Sequence, residues 1–410
     1  MRITSRAALY LFFQIIAKSS IASLFILLAR NIDQGVFGEF VFGLNSARYL
    51  TLVFMMGSSA VLVKHWGDLT SSEFGKKENN FHFLNWYILR SLTYSILIFL
   101  LFFLFLQIFN LVWLSSVEIF MSVFFVVFIP ISLMQNYYIS IKKPHYAGFI
   151  AMMFNLFWLL ITVFWLFVFF NASIKYIVSS LFILGLFTCF VWYEISRPFT
   201  ILVRKAHHHN WKFAASHFWS VSFGLADIFL IKVFLDLTDV AVFGVLLQII
   251  GIIAFFLGAI SSSIVPYLAE FQTSLSREDF QKKLTLFARI AAIPGVLIIM
   301  IFLILGEHVL GLYGQHYVAS FDILIIMLLG SSVNILCGFN GWLLNLIGHE
   351  GYVARVFFIA LIIKLFMGAA LCVSFGLAGV AVSFSISLVV WNVMLVRYSL
   401  RQTGYNTSIF

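Results

Sequence analysis

Long apolar runs separated by short polar and charged clusters dominate the hydropathy pattern of the chain. A helix needs about 20 apolar residues to cross the hydrocarbon core of a bilayer, and twelve runs meet that length. They lie at 8–29, 39–64, 83–106, 116–139, 147–170, 175–195, 213–235, 241–266, 284–305, 321–347, 352–372 and 378–397. Continuous runs of this kind exclude a transmembrane β-barrel, whose strands alternate over about ten residues. The pattern predicts an all-α polytopic membrane protein with about twelve transmembrane helices.

Composition removes the soluble alternatives. Hydrophobic residues make up 62% of the 410 residues and charged residues 10%, with a mean hydropathy of +1.05. Soluble domains average about 45–50% apolar and about 25% charged residues. Cys189, Cys337 and Cys372 all fall within apolar runs, where they form neither a disulfide framework nor a metal-ligand spacing. We therefore expect no sizeable soluble domain, no metal and no cofactor.

The distribution of Lys and Arg predicts the orientation. If the N-terminus is cytoplasmic, nineteen of the 25 basic residues fall at inner ends and loops, two at outer loops and four within spans. Cytoplasmic loops carry this excess for reasons of membrane insertion. Both termini are therefore predicted to be cytoplasmic. The net charge of +9 needs no nucleic-acid partner to explain it.

Short matches relate the two halves of the chain. Asp33 with Val36-Phe37-Gly38 recurs 206 positions later as Asp239 with Val242-Phe243-Gly244. Transporters are commonly built from repeats whose interface holds the substrate. We predict two six-helix bundles around a central cavity, over 1–196 and 213–410, joined by a cytoplasmic linker at 197–212.

Several segments carry a resemblance to a known family. They are 28–38 before the second span, 227–244, 264–270, 346–350, and Gly376-Leu377-Ala378-Gly379-Val380-Ala381 at the start of the last span. In order and spacing they resemble the multidrug/oligosaccharidyl-lipid/polysaccharide exporter superfamily, and its O-antigen flippase branch in particular. The resemblance covers nearly the whole chain.

The resemblance implies a function and a location. It implies that the protein moves an undecaprenyl-pyrophosphate-linked oligosaccharide from the cytoplasmic to the periplasmic leaflet of the bacterial inner membrane. The movement would occur by alternating access. Its energy would come from an H⁺ or Na⁺ gradient or from substrate supply and removal. Membrane lipids, a polymerase and chain-length proteins are its implied partners.

Two basic residues lie deep in the first spans. Lys18 shares a helical face with Gln14, and Arg48 shares one with Asn45 and Thr51. A charge at the bilayer centre costs about 2.5–3.5 kcal/mol on insertion scales, so it usually faces a partner or a watery cavity. Arg and Lys suit a pyrophosphate group. We expect a cationic lining of the cavity; the alternative is a structural pair with carboxylates or carbonyls of another helix.

Span seven carries a polar stripe at helical spacing, formed by His217, Ser220, Gly224 and Asp227. We expect it to face the cavity. Asp227 is the one carboxylate well inside a predicted span, which makes it the candidate for ion coupling. A structural salt bridge to a basic lining residue is the alternative role.

Three further polar residues lie within spans. Lys364 in span eleven is a candidate for the C-terminal lining of the cavity. Lys232 lies close to the outer end of span seven, where snorkelling to the interface explains it equally well. Gln248 begins a stripe of small residues in span eight, for which helix packing is the favoured role.

Two other functions compete with the flippase. An ion-coupled multidrug exporter of the same superfamily should carry acidic residues in its cavity, whereas the deep charges here are mostly basic. An O-antigen polymerase or ligase usually has a large periplasmic loop, but the longest outer connection here, at 306–320, is short. The chain also has no Gly-x-x-x-x-Gly-Lys-Ser/Thr loop for ATP. We predict a transporter rather than an enzyme.

Overall fold

The described part of the computed structural model consists of helices and short connections. It covers residues 2–55, 125–140, 143–168, 211–274 and 276–409. The helices are α1 Arg2–Asn31, α2 Gln34–Met55, α3 Phe125–Ser140, α4 Pro144–Val168, α5 Trp211–Phe234, α6 Leu237–Ser274, α7 Arg277–Tyr313, α8 Gln315–Val318, α9 Phe321–Cys337, α10 Asn340–Leu346 and α11 Glu350–Tyr398, followed by a π-helical turn, Ser399–Thr403.

Six of these helices are long and apolar enough to cross a membrane, and seven if α9 and α10, bent by 42°, form one broken span. The predicted multi-pass helical architecture is therefore confirmed. Predicted spans 83–106 and 175–195, and most of the linker at 197–212, lie outside the described residues.

Helix α11 resolves into the two last predicted spans. At 49 residues it would be far longer than a bilayer is thick, since a helix rises about 1.5 Å per residue. Gly376 interrupts it with φ 57° and ψ −137°, a conformation that favours glycine. A Cβ at Gly379 would collide with the carbonyl of Leu371, so the chain folds back closely at this break. The predicted spans 352–372 and 378–397 lie on either side of it.

Several helices extend beyond the predicted spans, and α6 and α7 do so by the most residues. Helix α7 continues to Tyr313, although the sequence predicted its span to end at 305. Helix α6 runs over 38 residues, well beyond 241–266. Apolar runs mark where a helix lies in lipid, but helical hydrogen bonding continues into the polar ends.

Helices of both halves share one hydrophobic core. Helix α1 packs on α4, α3 on α4, α5 on α11, and α9 on α11. The halves meet where α2 packs against α6 and α5. Phe243 of α6 is completely enclosed, and Phe42 of α2 contacts Phe229 of α5 edge to face, with ring centres 5.3 Å apart.

The repeated glycines lie in this contact between the halves. A Cβ on Gly38 would collide with the carbonyl of Leu237, and one on Gly244 would lie 2.5 Å from Val41 Cγ1. Helix α2 begins at Gln34, so the spacing of 206 would place the start of α6 at position 240. Helix α6 begins three residues earlier, at Leu237. The second glycine therefore lies about one turn deeper in its helix than the first.

Candidate substrate cavity

A cavity of about 410 Å³ lies among α1, α2, α3, α4 and α5. Its polar and charged lining residues come from all five helices. They are Lys18, Arg48, Thr51, Ser132, Gln135, Asn136, Asn155 and His217. None of the described residues that line it is acidic. The site is thus a polar, positively charged space within an apolar bundle.

Lys18 and Arg48, on neighbouring helices α1 and α2, supply the charge. Lys18 lies near the middle of α1 and Arg48 in the second half of α2, and both side chains are exposed at this cavity. They are close enough for their like charges to repel each other. Within the described part of the chain, neither cation forms a salt bridge or a side-chain hydrogen bond. Their charge is therefore available to a ligand.

Amide and hydroxyl groups of α3 and α4 complete the lining. Ser132, Gln135 and Asn136 follow each other at helical spacing on α3, and Asn155 faces them from α4. The Asn136 amide donates a hydrogen bond to the Ser132 carbonyl at 2.7 Å. Sequence analysis did not single out these residues. Their spacing of three and four residues within an apolar run was the available signal.

The polar stripe of α5 divides between two environments. His217, at its beginning, lines the cavity. Asp227, three turns further along, is 1% exposed and pairs with Lys364 of α11, with Oδ2 2.6 Å from Nζ. The structure thus holds Lys364 in a closed ion pair and not at the cavity surface. This geometry corresponds to the salt-bridge role considered for Asp227.

Other candidates from the sequence lie outside the described cavity lining. Asn45 is buried and donates to the Val41 carbonyl of its own helix at 2.8 Å, and Gln14 is half-buried on α1. Lys232 has its ammonium 5.4 Å from the centre of the Phe42 ring. Gln248 is half-buried on α6. The structure therefore brings together Lys18, Arg48 and His217 from the predicted set.

No protein-family model matches this sequence, and no curated protein sequence matches it. Solved structures do. A complex of the MATE multidrug transporter DinF-BH with R6G matches with TM-score 0.65 and 16% identity, covering 99% of this chain and 95% of that one. An inward-facing MATE multidrug resistance transporter of the MOP superfamily matches with TM-score 0.61 and 13% identity, covering 97% and 94%.

A third similar structure has a binding pocket of different polarity, according to its description. It is a MOP superfamily transporter from Pyrococcus furiosus, described as having a reversed polarity of the binding pocket that suggests a different function. It matches with TM-score 0.63 and 10% identity, covering 98% of this chain and 95% of that one. These likenesses show that the chain has the fold of MATE transporters. All three of these structures are described as transporters.

Proposed function

We propose that this protein transports an anionic amphiphile through the cavity among helices α1 to α5. The observation that carries the proposal is the pair Lys18 and Arg48, two cations that face the cavity without a partner in the described part of the chain. An unpaired charge in a membrane interior is costly to maintain, which favours a role in ligand binding. The absence of a carboxylate among the described lining residues fits an anion and disfavours a cation.

The substrate we propose is an undecaprenyl-pyrophosphate-linked oligosaccharide, such as an O-antigen repeat unit. Arg48 offers a planar fork of donors that matches phosphate oxygens, and Lys18 adds a compact charge. The amides of Gln135, Asn136 and Asn155 offer donors and acceptors for sugar hydroxyls. The lipid chain would remain in the surrounding bilayer.

Two six-helix bundles, 1–196 and 213–410, would alternate access to the cavity in the bacterial inner membrane, with both termini in the cytoplasm. An ion gradient or the supply and removal of substrate would drive the cycle. We propose the salt-bridge role for Asp227, because Lys364 already occupies its Oδ2. A polymerase and chain-length proteins would act on the exported repeat unit.

A multidrug exporter is the second candidate, and the comparisons favour it over the flippase. The similar structures include multidrug transporters, one of them in complex with R6G. Charge separates the two proposals, since a cavity that carries Lys18 and Arg48 disfavours cationic drugs by like-charge repulsion. The multidrug candidate therefore predicts either neutral or anionic drugs as substrates.

Deletion of the gene in its host tests the proposed function. We expect lost surface polysaccharide, with lipid-linked repeat units retained on the cytoplasmic face. Wild type should restore the polysaccharide, Arg48→Ala should restore little of it at equal expression, and Arg48→Lys an intermediate amount. Lys282→Ala, which removes an exposed lysine of α7 outside the cavity lining, is the control.

Unchanged polysaccharide would overturn the flippase and leave the drug exporter as the better proposal. Repeat units that reach the periplasm but remain unpolymerised would indicate a role in polymerisation instead. Drug sensitivity of the deletion strain should be measured in parallel, because it reports on the second candidate directly.

A further inference from the structure

The Lys364 side chain ends in an enclosed cage between α5 and α11. Its ammonium donates to Asp227 Oδ2 at 2.6 Å and to the Phe223 carbonyl at 2.9 Å. The same nitrogen lies 4.0 Å from the centre of the Phe223 ring and 4.8 Å from that of Phe384. Lys364 and Asp227 are each 1% exposed.

All four contacts are of the kind that binds a cation. A carboxylate and a carbonyl supply two oxygen ligands, and aromatic faces attract positive charge through their quadrupoles. Asp227 Oδ1 has no hydrogen-bond partner in the described part of the chain, so the carboxylate retains capacity for a further ligand. Among the described residues, the Lys364 ammonium is the one countercharge paired with the Asp227 carboxylate.

The cage also connects three helical segments. Phe223 and Asp227 lie one turn apart on α5. Lys364 precedes the break at Gly376 and Phe384 follows it, while the Ser383 hydroxyl donates to the Lys364 carbonyl at 2.8 Å. The ammonium therefore occupies the point where α5 and the two segments of α11 meet.

We propose that this cage is a monovalent-cation site that the protein fills with its own Lys364 ammonium. The lysine stem delivers the cation from α11, so no ion from solution is needed at Asp227. This inference does not depend on the transported substrate. It implies that any ion coupling in the wild-type protein does not use Asp227 as its free binding site.

Truncation of Lys364 should convert the filled cage into an open site. Lys364→Ala leaves a buried carboxylate without its countercharge, which is strongly unfavourable unless another cation enters. Propylammonium supplies the three carbons and the nitrogen that this substitution removes. Sodium and potassium ions supply the charge alone. At least one of these cations should therefore bind the variant and stabilise its folded state.

Thermal unfolding of the purified, detergent-solubilised protein measures this. Chloride salts of propylammonium, sodium and potassium are compared with choline chloride at equal ionic strength, which holds screening constant. We expect at least one small cation to raise the melting temperature of Lys364→Ala by about 3 °C or more. Wild type should shift by less than about 1 °C, because its cage is already filled.

Two variants serve as controls. Asp227→Asn/Lys364→Ala lacks the carboxylate and should lose the response. Lys282→Ala removes an exposed lysine outside the cage and should show the same small response to the salts as wild type. If Lys364→Ala can be purified in a small-cation salt but not in choline chloride, that dependence is itself the expected result.

Three results would overturn the proposal. Lys364→Ala could show the same stability in all four salts, or the double variant could retain the full response. Alternatively, Lys364→Ala could fail to fold in every salt while the double variant folds, which would show a structural ion pair that accepts no free cation.

Discussion

At the scale of single residues, the basic side chains within the described helices have two different environments. Lys18 and Arg48 face a cavity and have no ion-pair partner in the described part, whereas Lys364 is enclosed with Asp227. Removal of one partner from a buried pair leaves an uncompensated charge. Removal of a cation that has no ion-pair partner leaves no uncompensated charge behind. The two kinds of residue should therefore respond oppositely to substitution.

Asp227→Asn should destabilise the protein by about 3–5 kcal/mol, because it leaves the Lys364 ammonium buried without a countercharge. Asp227→Leu/Lys364→Met, which replaces both charges by apolar groups, should recover most of this loss. Unfolding of the purified variants measures both values. A single substitution that costs no more than the double would contradict the buried-pair account.

Arg48→Met should leave stability unchanged or raise it, because the substitution removes repulsion with Lys18 and an intramembrane charge. Transport should fall at the same time, since functional sites commonly trade stability for activity. Paired measurements of melting temperature and transport test this. A lower melting temperature would show that Arg48 has a structural partner instead.

Part of the candidate cavity could be predicted from the sequence, residue by residue. Lys18, Arg48 and His217 stand out because charged or polar residues are rare in apolar runs, and the structure brings them to one cavity. Gln135 and Asn155 were missed because no charged residue lies within one turn of them on the same helical face, as Lys18 does for Gln14 and Arg48 for Asn45. The partner of Asp227 could not be predicted, because Lys364 lies 137 residues away and only packing of α5 on α11 joins them.

At the scale of helices, the contact between α2 and α6 depends on two glycines with unequal surroundings. A Cβ at Gly38 meets the carbonyl of Leu237, which is part of the backbone, whereas one at Gly244 meets the side chain of Val41. A side chain can adopt another rotamer more readily than a helix end can move. Gly244 should therefore tolerate substitution by alanine better than Gly38 does.

Gly38→Ala should lower stability by about 1–3 kcal/mol, the usual cost of overpacking, and Gly244→Ala by less. Gly251→Ala is the matched control on α6, since nothing lies within 4 Å of its Cβ position. That substitution should stabilise the helix by up to about 1 kcal/mol. Thermal unfolding of the three variants gives the order, and equal losses at Gly38 and Gly244 would contradict the geometry.

Hydropathy predicted the described helices well and their breaks less well. Runs of about 20 apolar residues locate α1, α4 and α5 because length in lipid is the dominant constraint. The bend between α9 and α10 falls within the single predicted span 321–347, where Gly338, with φ 68°, is an inconspicuous residue in an apolar run. Backbone geometry at a single glycine leaves little trace in hydropathy.

At the scale of the whole molecule, the ends of α1 and α7 connect the two halves. Arg30 Nε donates to the Leu312 carbonyl at 2.6 Å and Nη2 to the Gly311 carbonyl at 3.1 Å. These carbonyls belong to the last turn of α7, where they have no partner within the helix and the dipole is negative. The two halves therefore have a second contact, between the end of α1 and the end of α7, which is separate from the cavity among α1 to α5.

Arg30→Gln should weaken this contact and allow the ends of α1 and α7 to separate. Spin labels at Asn31→Cys and Leu312→Cys, in a background with the three native cysteines replaced by alanine, measure the distance. We expect a broader distribution that extends to longer distances. Arg355→Gln is the control, because the contacts of this guanidinium within the described residues are with Gly351 and Tyr352 of its own helix. An unchanged distribution would show that Arg30 does not hold the halves together.

Binding of a lipid pyrophosphate to the purified protein tests the central claim most directly. A fluorescent polyprenyl pyrophosphate and a lipophilic cation are titrated into wild type and Arg48→Ala in detergent of matched composition. We predict that the pyrophosphate binds wild type, that added salt weakens it, and that Arg48→Ala binds about 10–100-fold more weakly, as expected for lost charge-assisted hydrogen bonds. Tighter binding of the lipophilic cation, with no effect of Arg48→Ala on the pyrophosphate, would contradict a cationic substrate cavity.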